Sequence, residues 1–350
     1  MVRILVTFTV LLLCLPTLAQ KSKGDVLYEQ AKTTLEKGDG KKSVKIFLNA
    51  RTEYLKEGNY YWVLVCTQTV AIYYQDTGEG KAAEQLLLET ISAIPKKNSE
   101  QLEIHAKLQD NLAYTYLYLL DRIPEALTVY DESILLWEKA GKSGTSSYAK
   151  ELVSRAITNY TLSQFQAAAD DLVKAIAILE KDSETTPADL SGYYRTLGLN
   201  YYELADFKKA MDTFRKGLSL LDGTDEKESK ATLHNDIGIV HNKQTAFTAA
   251  IESFTASKKI NEELFGKDAN HYAMNLVNIG SAYKGMGDLQ GAMVAYNEVL
   301  NIYGKTPPDE VSNMIDLLIN ISAITDDLGM HEQSQLIIDQ AMKLAATNSC

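Results

Sequence analysis

The sequence is poor in cysteine, histidine, tryptophan and proline, and basic residues are outnumbered by acidic ones. Its 350 residues include three cysteines, five histidines, two tryptophans and six prolines. Cys14, Cys66 and Cys350 are too few and too far apart for a disulfide framework or a zinc site. Lysine and arginine number 35 against 46 aspartates and glutamates, which gives a formal net charge of −11. Because a nucleic-acid-binding surface needs basic side chains to neutralise phosphates, the sequence argues against a nucleic-acid partner.

Only one apolar run is long, and it lies at the N-terminus. Arg3 precedes a mostly apolar segment over residues 4–15, and Pro16 ends it, followed by small residues of the kind that signal peptidase recognises. About twelve apolar residues cannot cross roughly 30 Å of hydrocarbon. We therefore predict a secretory signal peptide over residues 1–19. The mature chain, 20–350, is expected in the periplasm or outside the cell, without a membrane span.

A pattern of small and large side chains recurs about every 42 residues through the rest of the sequence. Its clearest copy has small residues at Gly198 and Ala210 and large ones at Leu197, Tyr201 and Phe214. At helical spacing, the small residues let two helices approach and the large residues fill the space between them. Polar segments rich in Gly, Ser, Thr and Pro separate the copies, and few stretches alternate with the period of a strand. The expected repeats cover residues 24–58, 64–97, 106–141, 149–183, 191–223, 231–266, 273–305 and 315–345.

This pattern resembles the tetratricopeptide repeat, a helix–turn–helix unit whose usual length is 34 residues. The longer period is similar to that of kinesin light chains, bacterial Rap-type regulators and the exported repeat regions that precede caspase-like CHAT domains. The copies lack the family's leading Trp, and its closing Pro is present only as Pro95. The resemblance implies an all-α fold, a right-handed α–α superhelical solenoid of about eight helix pairs, each stacked on the next. The mature chain would then be one solenoid rather than two or three domains.

The resemblance also implies a concave groove, lined by the first helix of each pair, that binds a protein or peptide. In such scaffolds an Asn just before the Leu–small pair holds the ligand backbone, and the matching residues are Asn111, Asn278 and Asn320. An Asn side chain offers both a donor and an acceptor, which suits a peptide group. Because tyrosine is also a packing residue of the repeat, a structural role for the groove tyrosines is the alternative. The neighbouring groove residues are expected to be Tyr114, Tyr118, Tyr160, Arg195, Tyr202, Asn235, Asn242, Lys243 and Lys284.

No pattern typical of a catalytic or cofactor site stands out. His234 and His241 lie seven residues apart, roughly 10 Å along a helix, which is too far to share one metal ion. The glycine-rich segment 285–291 fits the turn of a repeat better than a dinucleotide-binding loop. We therefore expect no catalytic residue, no metal and no cofactor. The leading hypothesis is an exported, non-enzymatic scaffold; the alternative is a sensory or regulatory module of a larger signalling or CHAT-like protease assembly.

The last predicted helix carries apolar residues that no following segment can cap. Leu336 and Met342 belong to it, and the residues after Leu344 are too few for another helix. An uncapped repeat exposes an apolar face. We therefore hypothesise that this end packs against another molecule, by self-association for example, or that the natural chain continues beyond Cys350.

Overall fold

The computed structural model describes residues 21–308 and 310–347, so the predicted signal peptide, 1–19, lies outside the described residues. Regular structure in the described residues is helical throughout, and none of these helices is both long and apolar enough to cross a bilayer. The helices are α1 (Lys23–Glu36), α2 (Gly40–Glu57), α3 (Tyr60–Asp76), α4 (Gly80–Ala93), α5 (Ser99–Tyr118), α6 (Ile123–Lys139), α7 (Ser146–Thr161), α8 (Phe165–Leu179), α9 (Pro187–Glu203), α10 (Phe207–Leu220), α11 (Lys227–Lys243), α12 (Phe247–Phe265), α13 (Asn270–Gly285), α14 (Leu289–Lys305), α15 (Val311–Asp327) and α16 (His331–Thr347).

Consecutive helices form eight helix–turn–helix pairs, from α1 with α2 to α15 with α16, which confirms the predicted all-α fold. We call the odd-numbered helices first helices and the even-numbered ones second helices. Three residues connect the two helices of every pair except α5 and α6, which are connected by four. The third repeat is thus one residue longer in its turn than the others.

Side-chain caps fix where many of these helices begin. Ser22 and Thr186 start first helices with capping boxes, in which the hydroxyl accepts a backbone N–H and an aspartate side chain accepts the cap's own N–H. Second helices start at an aspartate in three pairs, at Asp39, Asp206 and Asp288. Each carboxylate accepts a hydrogen bond from the backbone N–H three residues later in the chain. The same residue type at the same place in three turns therefore acts as a helix N-cap.

In every turn between the two helices of a pair, the residue two positions before the second helix has a left-handed conformation, with positive φ. At four turns it is a glycine, which adopts this conformation without a Cβ clash. At the other four it is a residue with a side chain and φ between 52° and 59°, which costs free energy in an L-residue. The glycines are Gly38, Gly78, Gly287 and Gly329, and the others are Asp121, Ser163, Ala205 and Thr245.

The two helices of a pair touch where a small residue of the first helix meets a large residue of the second, sixteen positions later. A Cβ built on Gly198 would lie 2.4 Å from Cε1 of Phe214, and one on Gly280 would lie 2.4 Å from Cε1 of Tyr296. Both rings are buried. The periodic small residues thus make room for the periodic large ones, as the sequence predicts.

The chain divides into two compact units, which are described separately. Unit 1, Met1–Gly141, contains α1–α6, and unit 2, Lys142–Cys350, contains α7–α16. Within each unit, second helices pack against the first helix that follows, and neighbouring first helices touch: α3 with α5 in unit 1, and α9, α11, α13 and α15 in sequence in unit 2. The prediction that residues 20–350 form a single solenoid stays a prediction.

Candidate binding surface

All twelve residues of the predicted groove lie on first helices. Asn111, Tyr114 and Tyr118 belong to α5 in unit 1, and the other nine belong to α7, α9, α11, α13 and α15 in unit 2. We call the solvent-facing side of these helices the first-helix face of each unit. The placement agrees with the predicted groove, and the role of these residues in binding stays a prediction.

On the first-helix face of unit 1, two tyrosines are exposed and one amide is already used. Tyr114 and Tyr118 lie one helical turn apart with ring centroids 4.6 Å apart. The Asn111 side chain donates to the carbonyl oxygen of Lys107 in its own helix at 2.7 Å. One of the two N–H donors of the amide that the resemblance implies as a ligand holder is therefore used within α5.

On the first-helix face of unit 2, an ion pair connects α9 to α11. Nε of Arg195 lies 2.6 Å from Oδ2 of Asp236, whose side chain is almost fully buried. Burial raises the pKa of Asp236, although the Arg195 guanidinium acts in the opposite direction. Arg195 therefore compensates a buried carboxylate one repeat away.

An amide network connects α11 to α13 in the same unit. Nδ2 of Asn278 donates to Oδ1 of Asn235 at 2.8 Å, and Nδ2 of Asn275 donates to Oγ of Ser257 at 3.0 Å. Asn261 in α12 donates to Oδ1 of Asn275 at 2.8 Å. These bonds run from one repeat to the next, so Asn235 and Asn278 join neighbouring first helices.

Two further groove tyrosines pack against the second helix of their own repeat. The Tyr160 ring lies 5.3 Å from that of Phe165, and the Tyr202 ring lies 5.8 Å from that of Phe207. Burial and the nearby Glu203 carboxylate raise the pKa of Tyr160. These contacts favour the structural role that the sequence left open for the tyrosines, and both side chains remain partly exposed.

The remaining groove residues differ in exposure. Lys243 is exposed, whereas Lys284 and Asn320 are half-buried. Oδ1 of Asn242 is buried, with no hydrogen-bond partner among the described residues. The predicted groove residues of α11, α13 and α15 are thus lysines and asparagines only.

Sequence reasoning missed the residues that hold the first helices together. Nε2 of Gln75 in α3 donates to Oγ1 of Thr115 in α5 at 3.1 Å. In unit 2, Asp236 in α11 accepts from Arg195 in α9, and Asn275 in α13 donates to Asn235 in α11. Their signal in the sequence is a pair of polar residues about one repeat apart, since the bonded residues are separated by 40 to 43 positions.

The described residues contain no group of three or more His, Cys, Asp or Glu side chains that could hold a metal ion. Cys66 is fully buried, and burial raises the pKa of its thiol to about 12. A thiol in that environment is a packing group rather than a nucleophile.

A family model described as tetratricopeptide repeat matches residues 229–305, which span α11 to α14. No curated protein matches the sequence. Three solved structures show the extent of the fold similarity. Tetratricopeptide-like repeats of a putative kinesin light chain from Podosopora anserina are 18% identical, with a TM-score of 0.50 over 57% of this chain and 95% of that one.

The second structure is a tetratricopeptide repeat protein from Parabacteroides merdae, 16% identical, with a TM-score of 0.57 over 82% of this chain and 93% of that one. The third is a signal transduction ATPase with numerous domains from Pyrococcus horikoshii, which has a tetratricopeptide repeat sensor. It is 15% identical, with a TM-score of 0.62 over 90% of this chain and 45% of that one. At these identities the likeness concerns the fold alone.

Proposed function

Because the chain carries tetratricopeptide repeats and folds as eight helix pairs of that kind, we propose that it is a non-enzymatic scaffold that binds a protein or peptide on its first-helix faces. Proteins built from this repeat are generally interaction scaffolds rather than catalysts. The observation that carries the proposal is the way neighbouring first helices are fastened together by side-chain bonds such as Gln75–Thr115. A surface fixed before binding loses little conformational freedom when a ligand arrives.

We also propose that the scaffold works outside the cytoplasm. The support is the sequence of residues 1–19, with its basic start, apolar run and small residues before Gln20. Expression of the full chain in a bacterial host tests this proposal. We expect the periplasmic or secreted form to begin at Gln20 by N-terminal sequencing, and a cytoplasmic chain that keeps Met1 contradicts export.

Partner capture tests the binding proposal. The purified chain, residues 20–350, is used as bait against periplasmic and culture-medium proteins, and the captured partner is identified by mass spectrometry. We expect Tyr114→Ala with Tyr118→Ala to reduce capture at least tenfold. Leu88→Ala is the matched control, because Leu88 is also an exposed apolar residue of unit 1 but lies on a second helix. Equal capture by the tyrosine variant and the control contradicts binding at the first-helix face of unit 1.

The alternative function is a sensory or regulatory module in a larger signalling or CHAT-like protease assembly. The fold similarity to the Pyrococcus horikoshii signal transduction ATPase, which has a tetratricopeptide repeat sensor, supports it, and the match covers 45% of that protein. The two proposals differ in what the partner does. An enzyme as the captured protein, with an activity that changes when residues 20–350 bind, favours the regulatory module, whereas an unchanged activity favours the scaffold.

Self-association through α16 is a further proposal about partners. Leu336 and Met342 are among the most exposed apolar residues of the described chain. If this end mediates self-association, sedimentation equilibrium should give a mass that rises with concentration, and Leu336→Lys with Met342→Lys should abolish the rise. A mass that stays monomeric in the unmodified chain contradicts the proposal.

A further inference from the structure

An exposed apolar patch crosses from α3 to α5 on the first-helix face of unit 1. Ile72 is 43% exposed, Tyr114 is 44% exposed and Tyr118 is 56% exposed. Ile72 and Tyr114 each follow the small residue of their repeat, Ala71 and Ala113, so they occupy the same register on helices that touch. The patch therefore combines one aliphatic side chain with two neighbouring tyrosine rings.

The scaffold under this patch is fixed by hydrogen bonds. Nε2 of Gln75 donates to Oγ1 of Thr115 at 3.1 Å and to the carbonyl oxygen of Asn111 at 3.4 Å. Thr115 is fully buried and donates in turn to the same carbonyl oxygen at 2.8 Å. These bonds hold α3 and α5 in one register, so the patch is formed before any ligand binds.

Two carboxylates flank the apolar side chains. Asp76 lies four residues after Ile72, and Asp110 lies four residues before Tyr114, so each is one helical turn from its apolar neighbour on the same side of the helix. Neither aspartate forms an ion pair with the described residues. Burial raises the pKa of Asp110 to about 6. Asp110 thus places a carboxyl group, partly buried and without a basic partner among the described residues, one helical turn from Tyr114.

The two helices supply no basic side chain to neutralise these carboxylates. The sequence of α3 contains no lysine, arginine or histidine. In α5, His105 is buried, and Nζ of Lys107 lies 2.7 Å from Oε1 of Glu103 and over the ring of Trp137. A partly buried charge without a partner costs stability and is more typical of a functional site than of a structural one.

We propose that Ile72, Asp76, Asp110, Tyr114 and Tyr118 form a binding site for an arginine side chain of a protein partner. A guanidinium group is planar, so it stacks on a tyrosine ring while its edge donates two hydrogen bonds to a carboxylate. The aliphatic part of the arginine would cover Ile72. A lysine offers only a point charge and should bind less well. This inference rests on the proposed function, because it names the residue type that the scaffold's partner presents to unit 1.

The test measures binding of a small arginine peptide to residues 20–350 by NMR. The chain carries ¹³C labels in the isoleucine δ1 methyl groups, and the probe is the acetylated and amidated peptide Gly-Ser-Arg-Ser-Gly at millimolar concentration. We expect a saturable shift of the Ile72 methyl signal, and an affinity at least fivefold lower for the same peptide with the uncharged isostere citrulline. Ile157 in α7 is the internal control. It is 37% exposed and occupies the same register as Tyr114, but Val153 lies four residues before it, where α5 has Asp110.

Two variants test the contributions of the carboxylate and of the tyrosine rings to arginine binding separately. We expect Asp110→Asn and Tyr114→Leu each to weaken the arginine peptide at least fivefold, and Asp110→Asn to unfold at the same temperature as the unmodified chain or higher, because it removes an unpaired charge. No saturable shift, equal binding of arginine and citrulline peptides, unchanged binding to either variant, or a parallel shift of Ile157 overturns the proposal.

Partner capture and the peptide test together show which of the two proposals fails, the arginine site or the scaffold function. If the peptide test fails while Tyr114→Ala with Tyr118→Ala still loses a captured partner, the scaffold function stands and the arginine assignment is wrong. If the peptide binds as expected but capture does not depend on the tyrosines, the arginine site stands and the captured partner binds elsewhere.

Discussion

The contact between Gly198 and Phe214 allows a quantitative test of how these repeats pack. A Cβ at residue 198 would lie 2.4 Å from Cε1 and 2.6 Å from Cδ1 of Phe214, closer than real Cβ atoms approach. Gly198→Ala must therefore displace a buried ring, and overpacking of a core costs about 1–3 kcal/mol. Alanine in place of glycine also stabilises a helix by about 1 kcal/mol. We expect a net loss of about 0–2 kcal/mol in the free energy of unfolding.

Other repeats of the same chain show how the ring can be accommodated. Repeat 2 pairs Ala71 with Leu87, and repeat 4 pairs Ala156 with Leu172, all four fully buried. Phe214→Leu alone should leave a cavity and cost about 1–2 kcal/mol. Combined with Gly198→Ala, it recreates the alanine–leucine pair, so we expect the double variant to lie within about 1 kcal/mol of the unmodified chain. The coupling energy between the two substitutions should then be about 1–3 kcal/mol.

Urea unfolding of all four chains, followed by circular dichroism, measures the cycle. Because helical repeats can unfold in parts, amide hydrogen exchange of α9 and α10 provides the local readout. The unmodified chain and the double variant should share similar protection in both helices, and each single variant should lose protection there. If the changes in unfolding free energy of the two single variants sum to that of the double variant within about 0.5 kcal/mol, the two positions are not coupled. The absence of a side chain at residue 198 would then not determine the size of residue 214.

Three further predictions concern individual side chains. Thr245 is β-branched and has φ 58°, so Thr245→Gly should stabilise the chain by about 1 kcal/mol and raise its thermal midpoint; a lower midpoint contradicts this. The Tyr296 hydroxyl is buried without a partner among the described residues, so in urea unfolding Tyr296→Phe should leave stability unchanged or raise it by up to about 2 kcal/mol. Arg195→Ala should cost about 1–4 kcal/mol at pH 7, because it leaves the buried Asp236 carboxylate unpaired. Burial raises the pKa of Asp236, so protonation of this carboxylate favours the folded chain. The loss of unfolding free energy caused by Arg195→Ala should therefore shrink as the pH falls from 7 towards 4. Urea unfolding at several pH values measures this loss, and a constant loss contradicts the prediction.

The fold could be predicted because its determinants are close in sequence. A small residue and its large partner, such as Gly198 and Phe214, are sixteen positions apart within one helix pair. The turn between them contains its own stop and start signals, for example the left-handed Gly38 followed by the N-cap Asp39. Each helix pair is therefore specified by its own segment of sequence, and repetition of the segment makes the pattern unmistakable.

The first-helix faces could be predicted only in outline, because their contacts connect different repeats. The bonded pairs Arg195–Asp236 and Asn235–Asn278 are 41 and 43 residues apart. Whether such residues meet depends on the rotation and spacing of two helices, which composition and period do not determine. The sequence therefore located the groove residues on first helices but gave no indication that several of them bind each other.

That mutual binding changes how a loss of ligand binding at Asn278 must be interpreted. Asn278→Ala removes the N–H group that donates a hydrogen bond to Asn235. Reduced ligand binding would then have one of two causes: a lost contact with the ligand, or a shift of α13 against α11. Asn235→Ala breaks the same hydrogen bond from the other side. If both variants weaken a captured partner equally, the bond acts by positioning the two helices. If only Asn278→Ala weakens it, the Asn278 amide contacts the ligand, as the resemblance to peptide-binding repeats implies.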